Sequence, residues 1–161
     1  MRIIGIDPGL LCTGYGIVDL KTGEPKVLEA GTIEPDKKAP FEDRLYKIHL
    51  HLTTILKSQT PDMMVLEKLY AHYRHPATAP VLGHVRGVIC LCAAEQKVQL
   101  VEHSVKRIRK ALLGNGNATK IQGQEFVKRL LKIKNTRFKL DASDALCLAL
   151  GHAHMLRFNL I

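Results

Sequence analysis

The sequence has 161 residues, with 24 Lys and Arg against 15 Asp and Glu, and a formal net charge of +9 at pH 7. This length predicts one domain over residues 1–161, and apolar stretches such as GVICLCAA are too short to span a bilayer. The start of the chain has no signal-peptide pattern, and the four cysteines form no CxxC pair, so we expect free thiols in a reducing cytoplasm. The positive charge indicates an anionic partner, most often nucleic acid.

The first half of the chain alternates apolar strands with one helix. Strands predicted at 1–7, 13–20 and 26–34 form an antiparallel meander. Pro40 begins a helix with apolar residues at helical spacing, which ends at Thr60. The nearly continuous apolar run at 62–67 is typical of a strand buried on both faces.

The second half is mainly helical. A long helix is predicted at 77–95, followed by a fifth strand at 97–102. Ser104 is a candidate N-cap for the basic helix VKRIRKALL, and Thr119 is a candidate cap for a helix over 120–132. A last helix is predicted at 140–156. The fold class is therefore α/β, with a mixed five-stranded sheet flanked by helices.

Four carboxylates stand where strands end or a helix begins. Asp7 and Glu67 end two apolar strands. Asp141 and Asp144 share one face of the first turn of the last helix. Each aspartate has an ordinary alternative, as a turn acid, an N-cap or a first-turn acid favoured by the helix dipole. Together, the four acids predict a site beyond the strand ends, where one or two divalent cations, Mg²⁺ or Mn²⁺, would offset their repulsion and activate water against a phosphodiester.

The motifs also carry a family resemblance. In chain order they are GIDPGLLCTGYGIV, VLEKLY, LGHVRGV, GNGNATK and LDASDALCLALGHAH. Their order and spacing resemble the RuvC family of bacterial Holliday junction resolvases. The resemblance implies a ribonuclease H-like fold, a cytoplasmic homodimer and Mg²⁺-dependent symmetric nicking of four-way DNA junctions in recombination and repair. It also implies a branch-migration motor as a partner.

The resemblance assigns roles to single residues. Asp7, Glu67, Asp141 and Asp144 match the catalytic, metal-binding acids, and Lys120 matches a catalytic, positively charged residue near the scissile phosphate. Tyr70 matches an aromatic residue that stacks on bases. The expected DNA contacts are Tyr70, Arg74, Lys106, Arg109 and Lys120.

Two points stay open from the sequence. The key basic residue of the third helix is one of Lys106, Arg107, Arg109 and Lys110, and the role of the loop from His72 to His75 is not defined. A junction-binding module without nuclease activity is the alternative function, which a missing acid would indicate.

The helix at 77–95 is the predicted dimer interface. Its small residues permit close approach of a second copy, and its apolar residues spread around the helix. We expect Val85 to be one of the interface positions.

Overall fold

Five strands and five helices make up the part of the chain that the computed structural model describes, residues 1–21, 25–68, 79–130 and 139–160. In chain order they are β1 Arg2–Asp7, β2 Thr13–Asp19, β3 Lys26–Ile33, α1 Phe41–Gln59, β4 Met63–Glu67, α2 Ala79–Glu95, β5 Gln99–His103, α3 Val105–Leu113, α4 Lys120–Leu130 and α5 Leu140–Arg157.

The strands form one mixed sheet in the order β3-β2-β1-β4-β5. β1, β2 and β3 pair antiparallel, which confirms the predicted meander. β4 and β5 join the other side of β1 in parallel register. The predicted α/β class with a mixed five-stranded sheet is confirmed.

Helices cover both faces of the sheet. They are needed on both because successive apolar side chains of β1 point to opposite faces. Ile4 and Ile6 are fully buried in a core shared with α1 and α2. Ile3 points to the opposite face and is buried in a core shared with α3, α4 and α5. Apolar residues therefore occupy both faces of β1, which explains its nearly continuous hydrophobic sequence.

Helix α5 lies very close to the sheet because the facing strand positions are glycines. A Cβ atom on Gly5 would overlap the carbonyl oxygen of Ala145 and lie 2.8 Å from the amide nitrogen of Ala149. On β2, a Cβ atom on Gly16 would lie 2.6 Å from Cγ of Leu146. The backbone of α5 therefore packs on a surface that has no room for side chains.

The element boundaries differ from the predicted ones by one or two residues. β5 begins at Gln99 rather than 97, because Lys97 adopts a left-handed backbone conformation with φ of 56° in the turn after α2. Ser104 caps α3, as expected, by accepting a hydrogen bond from the Arg107 amide at 3.2 Å. The predicted start of α2, at residue 77, and the predicted end of α4, at residue 132, lie outside the described residues.

The prediction that Val85 of α2 lies at a dimer interface is wrong. Val85 is fully buried, with Ile89 and Cys92, in the core beneath the helix. The exposed side of α2 instead carries Gly83, Gly87 and Leu91. We name this surface, Gly83, Gly87 and Leu91, the α2 outer face. The even spread of apolar residues around α2 concealed which side is buried.

All four cysteines are free thiols, as predicted. Across the described ranges, no helix combines the length and hydropathy that crossing a bilayer requires.

The close packing of α5 on β1 can be tested at Gly5. Gly5→Ala should lower the free energy of unfolding by about 3 kcal/mol, because the new methyl group meets backbone atoms that cannot rotate away. Urea unfolding followed by circular dichroism measures this. Gly123→Ala on α4 is the control. Its Cβ atom would meet only Cys147 Sγ, at 3.5 Å, so it should keep or gain stability. Equal stability of Gly5→Ala and wild type would contradict the proposed constraint.

Candidate active site

Two of the four predicted acids end neighbouring parallel strands. Asp7 is the last residue of β1, and Glu67 is the last residue of β4. The register pairs Ile6 with Leu66, so the next residue on each strand reaches the same edge of the sheet. Ligand sites in open α/β sheets form beyond this edge.

The other two acids come from the start of α5, Asp141 in its first turn and Asp144 three residues further on. A Cβ atom on Gly14, the β2 partner of Asp7, would overlap the backbone carbonyl of Asp141. The start of the helix is therefore pressed against the end of the β1–β2 pair. Lys139 occupies the N-cap position without a side-chain cap, and its ammonium group forms an ion pair with Glu34 after β3. The alternative that Asp141 serves as the N-cap is wrong.

The acids converge. One carboxylate oxygen from each of Asp7, Asp141 and Asp144 lies within 4.8 Å of the others. We call these three residues the acid cluster. Glu67 lines the same pocket as Asp7 and Asp144 but is not part of the cluster. The structure thus brings together all four acids that the sequence singled out.

Burial and repulsion between acids raise the pKa of three of these carboxylates, those of Asp7, Glu67 and Asp144. Burial, the charge of Asp144 and weaker contributions from Asp141 and Glu67 raise the pKa of Asp7 to about 7, against the opposing charge of Lys120. Burial also raises the pKa of Asp144 and that of Glu67, although nearby cations oppose both shifts. The site therefore favours any group that supplies positive charge.

Lys120 supplies one positive charge from the first residue of α4. Its ammonium group forms an ion pair with Asp144. A reciprocal cap fixes this helix start: the Thr119 amide donates to Gln122 Oε1 at 2.8 Å, and the Gln122 amide donates to Thr119 Oγ1 at 3.2 Å. Burial lowers the pKa of Lys120, but the hydrogen bond and charge of Asp144 outweigh it, so the net shift is upward.

Helix α3 places one further cation at the pocket. Arg109 lines it beside Glu67 and lowers the pKa of that acid, although burial raises the value overall. The other three basic residues of this helix are exposed, namely Lys106, Arg107 and Lys110. Of the four residues that the sequence left open, Arg109 is the one that faces the acids. Tyr70, Arg74, His72 and His75 lie outside the described residues.

Two contacts near the acids could not be predicted from the sequence. His103 Nε2 and His152 Nδ1 lie 2.8 Å apart, and both rings are buried. Burial lowers both pKa values, that of His152 to about 4, so both rings are harder to protonate than exposed histidines. The second contact joins Arg86 of α2 to the backbone carbonyl of Glu67 at 2.6 Å. Residues so distant in sequence give no local pattern that links them.

A mixed sheet with clustered carboxylates beyond its central strands and two cations beside them defines a metal-dependent nuclease of the ribonuclease H-like class. Comparison with known proteins agrees. The family described as "Crossover junction endodeoxyribonuclease RuvC" matches residues 3–152.

Curated relatives carry the same description. The one from Rhodopirellula baltica is 38% identical over 93% of this chain and 85% of its own length. The relative from Alkaliphilus metalliredigens is 35% identical over 99% of this chain and 96% of its own length. The solved structure "T. thermophilus RuvC in complex with Holliday junction substrate" superposes with a TM-score of 0.89 at 27% identity, covering 99% of this chain and 96% of that one. The chain belongs to the RuvC family of crossover junction endodeoxyribonucleases, and its predicted ribonuclease H-like fold is confirmed.

The raised pKa of Asp7 predicts how stability depends on pH without metal. Between pH 4 and about 7 the folded state holds the Asp7 proton that the unfolded state has released, so the free energy of unfolding falls as pH rises. Asp7→Asn removes this loss. We expect the variant to match wild type near pH 3.5 and to exceed it by about 4 kcal/mol at pH 8, because a shift of about three pKa units corresponds to roughly 1.4 kcal/mol per unit.

Urea unfolding in EDTA across this pH range measures the difference. A variant that is less stable than wild type at pH 8 would contradict the repulsive acid cluster.

Proposed function

We propose that this protein resolves four-way DNA junctions by hydrolysing one phosphodiester bond in each of two symmetry-related strands, with the acid cluster and Glu67 as its catalytic centre. The observation that carries the proposal is the convergence of three carboxylates within 4.8 Å, in a chain of the RuvC family. The relative from T. thermophilus is described in complex with a Holliday junction substrate, which supports the choice of substrate.

The donor set fits a hard divalent cation. Carboxylate oxygens are the ligands that Mg²⁺ and Mn²⁺ prefer. Burial and the charge of Asp144 raise the pKa of Asp7, so a bound cation would favour the ionised carboxylate. We assign Mg²⁺, with Mn²⁺ as a substitute, to Asp7, Asp141, Asp144 and Glu67. The oxygens of these four carboxylates are enough to bind one or two ions. Such ions would supply a nucleophilic water and stabilise the leaving oxygen.

The cations of the pocket act on the phosphate. Lys120, whose side chain is 50% exposed, can leave Asp144 and approach the scissile phosphate, where its ammonium group would offset the negative charge that develops during hydrolysis. Arg109 would hold a phosphate oxygen beside Glu67. Lys106, together with Tyr70 and Arg74 of the segment after β4, would complete the DNA contacts.

A homodimer supplies the two identical sites that paired nicking requires. The α2 outer face is a suitable interface, because Leu91 is 52% exposed and a Cβ atom on Gly83 or Gly87 would contact nothing within 4 Å. Two such helices can therefore approach each other closely. The family further supports a branch-migration motor as a partner and a cytoplasmic site of action in bacteria.

A junction-binding module without nuclease activity is disfavoured. Convergent carboxylates do not help a protein to bind DNA, and their repulsion and burial destabilise the fold. All four acids are present, which favours the enzyme.

Asp7→Asn tests the catalytic centre. With a labelled four-way junction, wild type should produce two symmetric nicks in Mg²⁺ and none in EDTA, whereas the variant should nick about 1,000-fold more slowly or worse. Junction binding in EDTA, measured by gel shift, should stay within about twofold because it depends on phosphate contacts.

Glu125→Gln, an exposed carboxylate on α4, is the matched control and should nick normally. Rapid nicking by Asp7→Asn would remove Asp7 from the centre, and junction binding without nicks by wild type would support the binding module instead.

Leu91→Arg tests the interface. An unpaired charge on the α2 outer face should make the protein monomeric at micromolar concentration, as measured by sedimentation, without loss of its circular dichroism spectrum. Paired nicking should become two independent events. Leu28→Arg, at a leucine that is 39% exposed on edge strand β3, is the control and should remain dimeric. A wild type that is monomeric both alone and on a junction would contradict the homodimer.

A further inference from the structure

Arg86 connects α2 to the strand end that carries Glu67. We propose that Arg86 is a positioning residue: it fixes the peptide group that follows Glu67, so that the Glu67 carboxylate is held toward the acid cluster and divalent-cation binding is strengthened. The inference rests on the proposed function, because it takes Glu67 to be a metal ligand.

The Arg86 guanidinium bridges the ends of two neighbouring strands. Its Nη1 donates to the Glu67 carbonyl oxygen at 2.6 Å, and its Nη2 forms an ion pair with the carboxylate of Glu102 on β5. The side chain is only 12% exposed. A guanidinium group with both arms engaged in a water-poor position is held in a defined orientation.

The peptide between Glu67 and Lys68 is held at both of its polar atoms. Arg86 binds its carbonyl oxygen, and its amide, that of Lys68, donates to the His103 carbonyl oxygen at 2.8 Å. Fixing the plane of this peptide fixes the backbone rotation at Glu67, which sets the direction of its side chain. The parallel ladder of β4 and β5 ends at the pair of Glu67 and His103, so Arg86 acts at the last residue of the strand.

Glu67 is the acid that most needs such support. The acid cluster is tied to α5 and to the end of β1, whereas Glu67 lies beside it. A metal ligand at the end of a strand gains from a rigid backbone, because groups that orient metal ligands typically change metal affinity by about 10-fold to 100-fold.

A thermodynamic cycle on the full chain tests the proposal. Mn²⁺ affinity is measured at pH 8 without DNA, from the paramagnetic resonance signal of free Mn²⁺, for wild type, Arg86→Gln, Glu67→Gln and the double variant. Arg86→Gln should weaken Mn²⁺ binding about 10-fold, and it should have almost no further effect in the Glu67→Gln background. Loss of a nearby positive charge alone would strengthen cation binding, so a weakening identifies positioning.

Glu95→Gln is the matched control, because it changes on the same helix the carboxylate whose Oε2 lies 3.0 Å from His49 Nε2, remote from the site. Its Mn²⁺ affinity should stay within about twofold. If Arg86→Gln folds poorly, Arg86→Lys, which keeps the charge but reaches only one partner, should show an intermediate loss.

Three results would overturn the proposal. One is unchanged Mn²⁺ affinity in Arg86→Gln when Glu67→Gln binds weakly, which leaves the proposed function intact. Another is an undiminished effect of Arg86→Gln in the Glu67→Gln background, which would mean that Arg86 acts on the fold as a whole. The third is unchanged affinity in Glu67→Gln, which would also remove Glu67 from the proposed metal site.

Discussion

The distance between α5 and the sheet governs the whole site. Because Gly5, Gly14 and Gly16 have no side chains, the helix backbone rests directly on β1 and β2. Ordinary side chains there would hold the helix away by roughly the length of a side chain, and Asp141 and Asp144 would no longer reach Asp7. The same closeness partly buries Asp7, so one packing constraint both assembles the acids and raises the pKa of Asp7.

The resulting repulsion is balanced by groups that come from separate elements. The positive end of the α5 dipole lies at its first turn, where Asp141 stands. Lys120 pairs with Asp144 from α4, and Arg109 lies near Glu67 from α3. The pocket therefore lies where strands end and helices begin. Its clustered carboxylates lower the stability of the fold and at the same time attract cations.

Much of this arrangement is readable in the sequence, for physical reasons. Apolar strands that end on acids identify the sheet edge, and the i, i+3 aspartates identify a helix face, so the four acids could be predicted to converge. The face of α2 could not be predicted, because its apolar residues surround the helix and only the fold decides that Val85 is buried. Neither the contact of Arg86 with Glu67 nor the His103–His152 pair leaves a local pattern, since each joins residues from separate elements. The choice of Arg109 among four basic neighbours also required the helix orientation.

The order of the acids along the chain bears on how the protein is made. Asp7 stands in the first described strand, whereas Asp141 and Asp144 stand in α5, the last described element. Chains emerge from the ribosome from the N-terminus, and early segments begin to fold before later ones exist. Two of the four acids are therefore still unsynthesised when the meander and the basic helix have been made. The acid cluster cannot form until α5, the last described element, has docked on the sheet.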